Sequence, residues 1–142
     1  MSKKKRQRKR RQPNPQQQSL SPSVDVDAKL QQAISLCQAD QLQQAEQICQ
    51  QILRDNSQHA EALHLLGVIA HQIENYRIAT SLIVQAIEID STQSSFFYNL
   101  GNALQEQGML EESIEAYHQA IHIQPDRAVA YNNLGCKKMK IG

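Results

Sequence analysis

Two histidines one helical turn apart come nearest, in this chain, to the spacing of a metal site. His118 and His122 lie at positions i and i+4 of the segment HQAIH, so on a helix both side chains face the same way. The Glu of the zinc-protease motif H-E-x-x-H is missing between them, and a tight zinc site usually takes three or four protein ligands. We therefore expect two solvated histidines on the outward face of a helix, and no metal.

The three cysteines are an odd number at wide spacing, which does not make a disulfide framework. Cys37 and Cys49 are expected to pack as small apolar residues within one helical hairpin, and Cys136 stands far from both. The chain has no Gly-rich phosphate loop, no nucleophile elbow and no C-x-x-C pair. We therefore predict that it is not an enzyme, that it has no catalytic residues and no cofactor, and that it works in a reducing compartment, the cytoplasm.

Positive charge is concentrated in one short segment. Eight of the 15 Lys and Arg residues lie between Lys3 and Arg11, whereas residues 12–136 carry four basic residues against all 14 acidic ones, a net charge of −10. The basic segment could attract nucleic acid weakly and without specificity, act as an import signal, adhere to anionic lipid, or only keep the chain soluble. The acidic remainder is a poor partner for phosphate. No apolar run approaches the roughly 18 residues of a membrane span, so we expect no membrane partner.

The composition changes near residue 25. Residues 1–25 are mainly Lys, Arg, Gln, Pro and Ser and bury too little apolar surface to offset the entropy of ordering, so we expect a disordered basic tail. Pro13, Pro15 and Pro22 also disfavour helix before them. From Val26 to Gln124 there is no proline, and Gln, Ala, Leu, Ile and Glu dominate, which is typical of helices.

One repeat period of 34 residues runs through residues 26–142, as the equal steps from Gly67 to Gly101 and from Gly101 to Gly135 show. Four columns keep this spacing without a gap: Leu66-Gly67, Leu100-Gly101 and Leu134-Gly135; Ala45, Ala79 and Ser113; Ile52, Ala86 and Ala120; Leu53, Ile87 and Ile121. They divide the chain into units 26–59, 60–93 and 94–127 and a partial unit or cap, 128–142. The period favours one repeat array over an ordinary globular domain.

Each unit is predicted to form two helices. In the third unit Gly108 separates two apolar stripes of helical spacing, and Pro125 ends the second helix. Small residues at 101, 113 and 120 would allow the two helices to approach closely. A single hairpin leaves apolar surface on both sides, so neighbouring units must stack. The predicted fold class is all-α, a solenoid of about seven helices preceded by the disordered basic tail.

These landmarks resemble the tetratricopeptide repeat, a helix-turn-helix unit of the same length. The best copy is 94–127, which carries Leu100, Gly101, Gly108, Tyr117, Ala120 and Pro125, with Phe97 where the family prefers Trp and Ser113 in place of Ala. The first unit departs from the pattern, since it has Gln32-Ala33 for Leu-Gly and Cys49 at the aromatic position. The partial unit departs too, with Lys137 and Lys138 at packing positions.

The resemblance implies a protein–protein interaction module, with the first helix of each pair lining a concave groove for an extended peptide or a partner protein. Carried over by position, the groove residues are His64, Leu65, Val68, Tyr98, Asn99, Asn102, Asn132 and Asn133, next to Leu30, Gln31 and Ile34. The alternative is that Leu65 and Val68 pack between helices and the asparagines are merely solvated. Repeats that clamp the terminal carboxylate of chaperones place Lys or Arg in this groove, where this chain has Leu30, His64 and Tyr98.

A second hypothesis concerns an enzyme beyond these repeats. The segments HAEALHLLGVIAHQ (His59–Gln72) and NLGNALQEQG are similar to repeats that precede the catalytic domain of O-linked N-acetylglucosamine transferase-like bacterial enzymes, where a row of asparagines holds substrate polypeptide. Asn99 and Asn133 match that row, whereas Gln31 and Leu65 do not. On this hypothesis the chain is the N-terminal, substrate-presenting segment of a larger, truncated glycosyltransferase-like enzyme. The lysines of the partial unit favour a polar cap and a complete array instead.

Overall fold

The computed structural model of the chain describes residues 22–127, with side chains for residues 25–126. Within this range the chain folds into six α-helices and one short 3-10 helix, without strands. The helices are α1 (Pro22–Gln38), α2 (Leu42–Asp55), α3 (Ala60–Gln72), α4 (Tyr76–Ile89), α5 (Ser94–Glu106) and α6 (Leu110–Ile123), followed by the 3-10 helix Pro125–Arg127. They pair in sequence as three hairpins, one for each full unit, which confirms the predicted all-α repeat architecture.

Helix α1 begins earlier than the sequence predicts. It starts at Pro22, inside the segment 1–25 that was expected to be tail. Proline suits the first position of a helix because its fixed φ is already helical and its missing N–H is not needed there. The basic run Lys3–Arg11 and the partial unit 128–142 lie outside the described residues.

The three hairpin turns share one backbone geometry. Asp40, Glu74 and Gly108, which occupy the same position in successive units, have positive φ angles of 63°, 65° and 80°. The N–H of the next residue donates in each turn to a carbonyl of the preceding helix: Gln41 to Leu36 at 2.8 Å, Asn75 to Ala70 at 2.8 Å and Met109 to Leu104 at 3.0 Å. This is the left-handed helix ending that glycine favours. Gly108 confirms the predicted break, and Asp40 and Glu74 adopt the same conformation with a side chain.

The turns between units also repeat. Asn56 and Asp90 follow the second helices with extended backbones, at φ −148° and −142°. Asp90 accepts hydrogen bonds from the N–H and hydroxyl of Thr92, and these bonds lower the pKa of its carboxyl group. At the third such position Gln124 precedes Pro125, and a residue before proline avoids the helical region. Helix α6 therefore ends at Ile123 as predicted.

Within each hairpin a small residue of the first helix faces a larger one of the second. A Cβ atom on Gly101 would lie 2.6 Å from the ring of Tyr117, and one on Gly67 would lie 2.6 Å from Cγ1 of Ile83. The equivalent residues of the first hairpin, Ala33 and Cys49, are both fully buried in one core cluster. The two positions at which the first unit differs from the family pattern thus complement each other, because Cys49 is smaller than an aromatic residue and leaves room for the methyl group of Ala33.

Adjacent hairpins share their cores. One cluster joins α1, α2 and α3, and a second joins Leu63, Ile83, Ala86 and Phe96 from α3, α4 and α5. All helix pairs in substantial contact between residues 22 and 127 belong to one hairpin or to neighbouring hairpins, as expected for a solenoid. No helix in this range is long and apolar enough to cross a membrane.

Candidate functional site

The first helices of the three hairpins meet at a cavity of about 270 Å³, which we call the groove cavity. It is lined by Leu30, Gln31 and Ile34 of α1, Glu61, His64 and Leu65 of α3, Ser95 and Phe96 of α5, and Gln93 just before α5. Pockets for small molecules usually measure about 300–1,000 Å³. The groove cavity is smaller, and its size suits one or two side chains of a longer ligand.

His64 is fixed between two helices. Its ring stacks on Phe96 with the centroids 4.5 Å apart, and its Nε2 atom lies 2.8 Å from the amide nitrogen of Asn99. Burial lowers the pKa of His64 to about 4, so the ring is neutral at pH 7. Since an amide nitrogen can only donate, Nε2 accepts this hydrogen bond. The contact orients Asn99 and leaves the cavity without a histidine charge.

A second polar cluster surrounds Tyr117. Its hydroxyl donates to Oδ1 of Asn102 at 2.5 Å and lies 3.1 Å from Oε1 of Gln105. Burial, and in lesser part the neighbouring Tyr98, raise the pKa of Tyr117 to about 12. The hydroxyl therefore stays protonated at neutral pH, and it holds the Asn102 side chain in one orientation.

The charges of the first helices are mostly negative. Among the described residues that line the groove cavity, Glu61 is the one carboxylate and there is no Lys or Arg. Helices α3 and α5 contain no Lys or Arg, and Lys29 of α1 lies 3.6 Å from Asp25. A ligand in this cavity meets an apolar floor and a single negative charge.

The sequence of the third hairpin matches a known family. Residues 94–127 fit the model described as Tetratricopeptide repeat. These residues form a tetratricopeptide repeat. The second hairpin reproduces its helix lengths of 13 and 14 residues, and the first two hairpins reproduce its turn geometry.

Similar proteins carry such repeats as small parts of longer chains. The protein O-mannosyl-transferase TMTC1 of Homo sapiens is 30% identical over 99 residues, which cover 67% of this chain and 11% of that protein. A mutant of the Thermobaculum terrenum O-GlcNAc transferase superimposes with a TM-score of 0.71 at 32% identity, over 73% of this chain and 20% of that one. The chain thus spans a tenth to a fifth of the length of these two transferases.

A shorter structure shares the fold alone. The second tetratricopeptide repeat domain of Spaghetti, solved with the HSP90 peptide SRMEEVD, superimposes with a TM-score of 0.66 at 16% identity, over 70% of this chain and 92% of that one. At this identity the likeness concerns the backbone and carries no ligand preference to this chain.

The residues predicted from the resemblance fall into four groups: the groove cavity, the first core cluster, the Tyr117 cluster and the residues outside the described range. His64 and Leu65 line the groove cavity, and Asn99 adjoins it through its contact with His64. Leu65 is also 8% exposed and packs with Val68 in the first core cluster, as the alternative interpretation expects. Tyr98 and Asn102 belong to the Tyr117 cluster. Asn132 and Asn133 lie outside the described residues.

Four lining residues were not predicted. They are Glu61, Gln93, Ser95 and Phe96. Glu61 and Ser95 occupy the same position of successive units, in the first turns of α3 and α5, so the repeat spacing itself could have identified them. The sequence pattern indicates Phe97, which occupies the family's aromatic position, and not Phe96. Phe96 is only 2% exposed and forms a wall of the cavity.

The residues considered for chemistry take other roles in the tetratricopeptide repeats. Cys49 is buried, which raises the pKa of its thiol to about 12, and burial also raises the pKa of Cys37. Neither cysteine is an activated nucleophile. His118 and His122 are exposed on α6 as expected, and no group of three or more potential metal ligands occurs among the described residues.

Proposed function

We propose that this chain is a protein–protein interaction module that holds an extended peptide or a segment of a partner protein along its first helices and performs no chemistry itself. The observation that carries the proposal is the groove cavity, to which all three described hairpins contribute. A surface built from successive repeats is elongated, which suits an extended ligand.

The polar groups beside the cavity support a peptide ligand. The Gln31 and Gln93 side chains line it, and the hydrogen bond with His64 orients Asn99 next to it. Primary amides donate and accept at once, so they match the alternating N–H and C=O groups of a peptide backbone. Such contacts hold a backbone without reading its sequence, whereas the apolar cavity would read one side chain.

Selection from a library of random dodecapeptides displayed on phage tests this function. Gln31 is exposed at the rim of the cavity, so Gln31→Trp fills the cavity without removing core packing. The matched control is Gln44→Trp at an exposed position of α2. We expect selected peptides to lose binding to Gln31→Trp and to keep it with Gln44→Trp, measured by calorimetry. Equal binding to both variants would place the ligand elsewhere.

We propose the cytoplasm as the place of action, in keeping with the free thiols of Cys37 and Cys49.

For the tail Lys3–Arg11 a weak, salt-sensitive attraction to nucleic acid stays a prediction. A filter-binding assay with and without the tail checks it.

A second candidate function is the presentation of substrate to a glycosyltransferase. It is favoured by the similarity to a mannosyl-transferase and an O-GlcNAc transferase, of which the chain spans only a small part. Detection of the native product with an antibody against the tail separates the two candidates. A species near 16 kDa, the mass of the present sequence, supports an independent adaptor. A much larger species supports a substrate-presenting segment.

The HSP90 peptide SRMEEVD is predicted not to bind. Its terminal and side-chain carboxylates would meet Glu61 in a cavity whose described lining contains no Lys or Arg. We expect calorimetry to detect no saturable binding, with the second repeat domain of Spaghetti, which was solved with this peptide, as the positive control. Micromolar affinity for the present chain would show that the cation-free groove is no obstacle.

A further inference from the structure

We infer that the groove cavity selects a cationic peptide with one apolar anchor side chain, and that Lys or Arg stands two positions from the anchor. The inference rests on the proposed function and names its ligand class. It combines the apolar floor of the cavity, the position of Glu61 and the charge of the surrounding helices.

The floor requires an apolar anchor. Leu30, Leu65 and Phe96 are buried there and are at most 8% exposed, and Ile34 adds a half-buried aliphatic wall. The volume of about 270 Å³ admits one large side chain such as Leu, Met or Phe with part of its backbone. An apolar anchor gains from burial against these side chains, whereas the amides of the two glutamines that line the cavity are left for the peptide backbone.

Glu61 supplies the charge preference. It is exposed in the first turn of α3, and among the lining residues it is the one carboxylate. His64 adds no positive charge because it is neutral. The described basic residues on other elements stand on α2 (Arg54), on α4 (Arg77), at the end of the 3-10 helix (Arg127) and on α1, where Lys29 pairs with Asp25. The described lining of the cavity contains no basic residue, so a cationic side chain meets the Glu61 carboxylate there.

The geometry of an extended peptide fixes the spacing. Side chains of an extended chain point alternately to opposite sides, so residues two positions apart share one side. With the anchor in the cavity, a Lys or Arg two positions before or after it shares the anchor's side of an extended peptide, the side that faces the cavity and Glu61.

The same peptide selection tests the ligand class, on the full chain at about 0.15 M salt, where long-range attraction is largely screened. We expect the selected sequences to carry Leu, Ile, Met or Phe with Lys or Arg two positions away. Glu61→Gln should weaken their binding by about two- to fivefold, the effect of one exposed ion pair, and should reduce its salt dependence. Glu88→Gln, at an exposed position of α4, should change neither.

Three outcomes would overturn the inference. Selected peptides that depend on Gln31 but are neutral or acidic, and insensitive to Glu61→Gln, would refute the cationic preference and leave the proposed function standing. Peptides without an apolar residue would refute the anchor. Cationic peptides that bind Gln31→Trp as well as they bind the unaltered chain would show only a general attraction to the acidic surface, against both proposals. Circular dichroism of each variant confirms that its helices are intact.

Discussion

At residue 101 the absence of a side chain allows the two helices of the third hairpin to pack closely. The ring of Tyr117 lies where a Cβ atom on Gly101 would have to be placed, and the Ser113 hydroxyl donates to the Gly101 carbonyl at 2.9 Å. An aromatic ring held at its hydroxyl by Asn102 cannot move away at low cost. In the first hairpin the same position holds Ala33, opposite the smaller Cys49.

Gly101→Ala is therefore expected to destabilise the array by about 1–3 kcal/mol, the usual cost of overpacking. This outweighs the roughly 0.5–1 kcal/mol that alanine gains over glycine in a helix. In the Tyr117→Cys background, which reproduces the first hairpin's pair, the same substitution should stabilise. Urea denaturation of the four proteins in this cycle measures the sign change. A destabilisation of equal size in both backgrounds would exclude the ring as its cause.

His64 should make stability depend on pH. Its pKa falls from 6.5 to about 4 on folding, so between these values the unfolded chain binds the proton and the folded chain does not. Stability should accordingly rise from pH 4 to pH 6.5, by about 3 kcal/mol at most, and should be complete above that range. His64→Gln should flatten this part of the curve in denaturation experiments, whereas His118→Gln on the exposed face of α6 should not. Identical slopes for both variants would contradict the burial of His64.

At the scale of the helix and its turn, the three hairpins have a residue in the left-handed conformation at the same position, but the conformational strain differs among them. A side chain in this conformation costs roughly 1–2 kcal/mol, and Asp40 and Glu74 bear that cost. Gly108 does not, and nothing lies within 4 Å of the position of a Cβ atom there. The turns thus differ in strain while their hydrogen bonds are the same.

Glu74→Gly should raise the free energy of unfolding by up to about 1 kcal/mol, because the relieved strain exceeds the added flexibility of the unfolded chain. Gly108→Ala should lower it by about 1 kcal/mol, since strain without a clash remains. Thermal melts compare the two variants with Gln85→Gly, a glycine at an exposed position inside α4, which should destabilise. If Glu74→Gly destabilised as much as Gln85→Gly, the positive φ of Glu74 would be in question.

The sequence predicts most of the helices and five of the nine residues that line the groove cavity, but not the contacts among their side chains. Gly108 and Pro125 give two helix ends correctly because their backbone restrictions act locally. The start of α1 is predicted too late, because the prediction treats Pro22 only as a residue that disfavours helix before it, whereas proline also suits the first helical position. The contact between Asn99 and His64 joins two helices of adjacent units, so it depends on side-chain rotamers that no period contains. The position of Phe96 in the cavity wall also depends on side-chain packing between units, so the period does not predict it either.

At the scale of the whole molecule, contacts between neighbours alone should produce unequal stability along the array. Within residues 22–127, α3 contacts helices of both neighbouring hairpins and α4 and α5 pack against each other across a hairpin boundary, whereas α1 makes substantial contact only with α2 and α3 in this range. We expect amide hydrogen exchange to be slowest in α3–α5 and faster in α1. Exchange in α1 as slow as in α4 would mean that the array unfolds as one cooperative block.

The reciprocal sizes of facing residues have a consequence for descent and for engineering. Ala33 accompanies Cys49, Gly67 accompanies Ile83 and Gly101 accompanies Tyr117. A first helix transplanted from the first unit into the third would bring a methyl group against a tyrosine ring, whereas a whole hairpin carries its complementary partner with it. The unit that can be duplicated is therefore the hairpin. Recombination at the inter-unit turns near Asn56 and Asp90 keeps each facing pair together, whereas a crossover at Asp40 would set Ala33 against Ile83 or Tyr117.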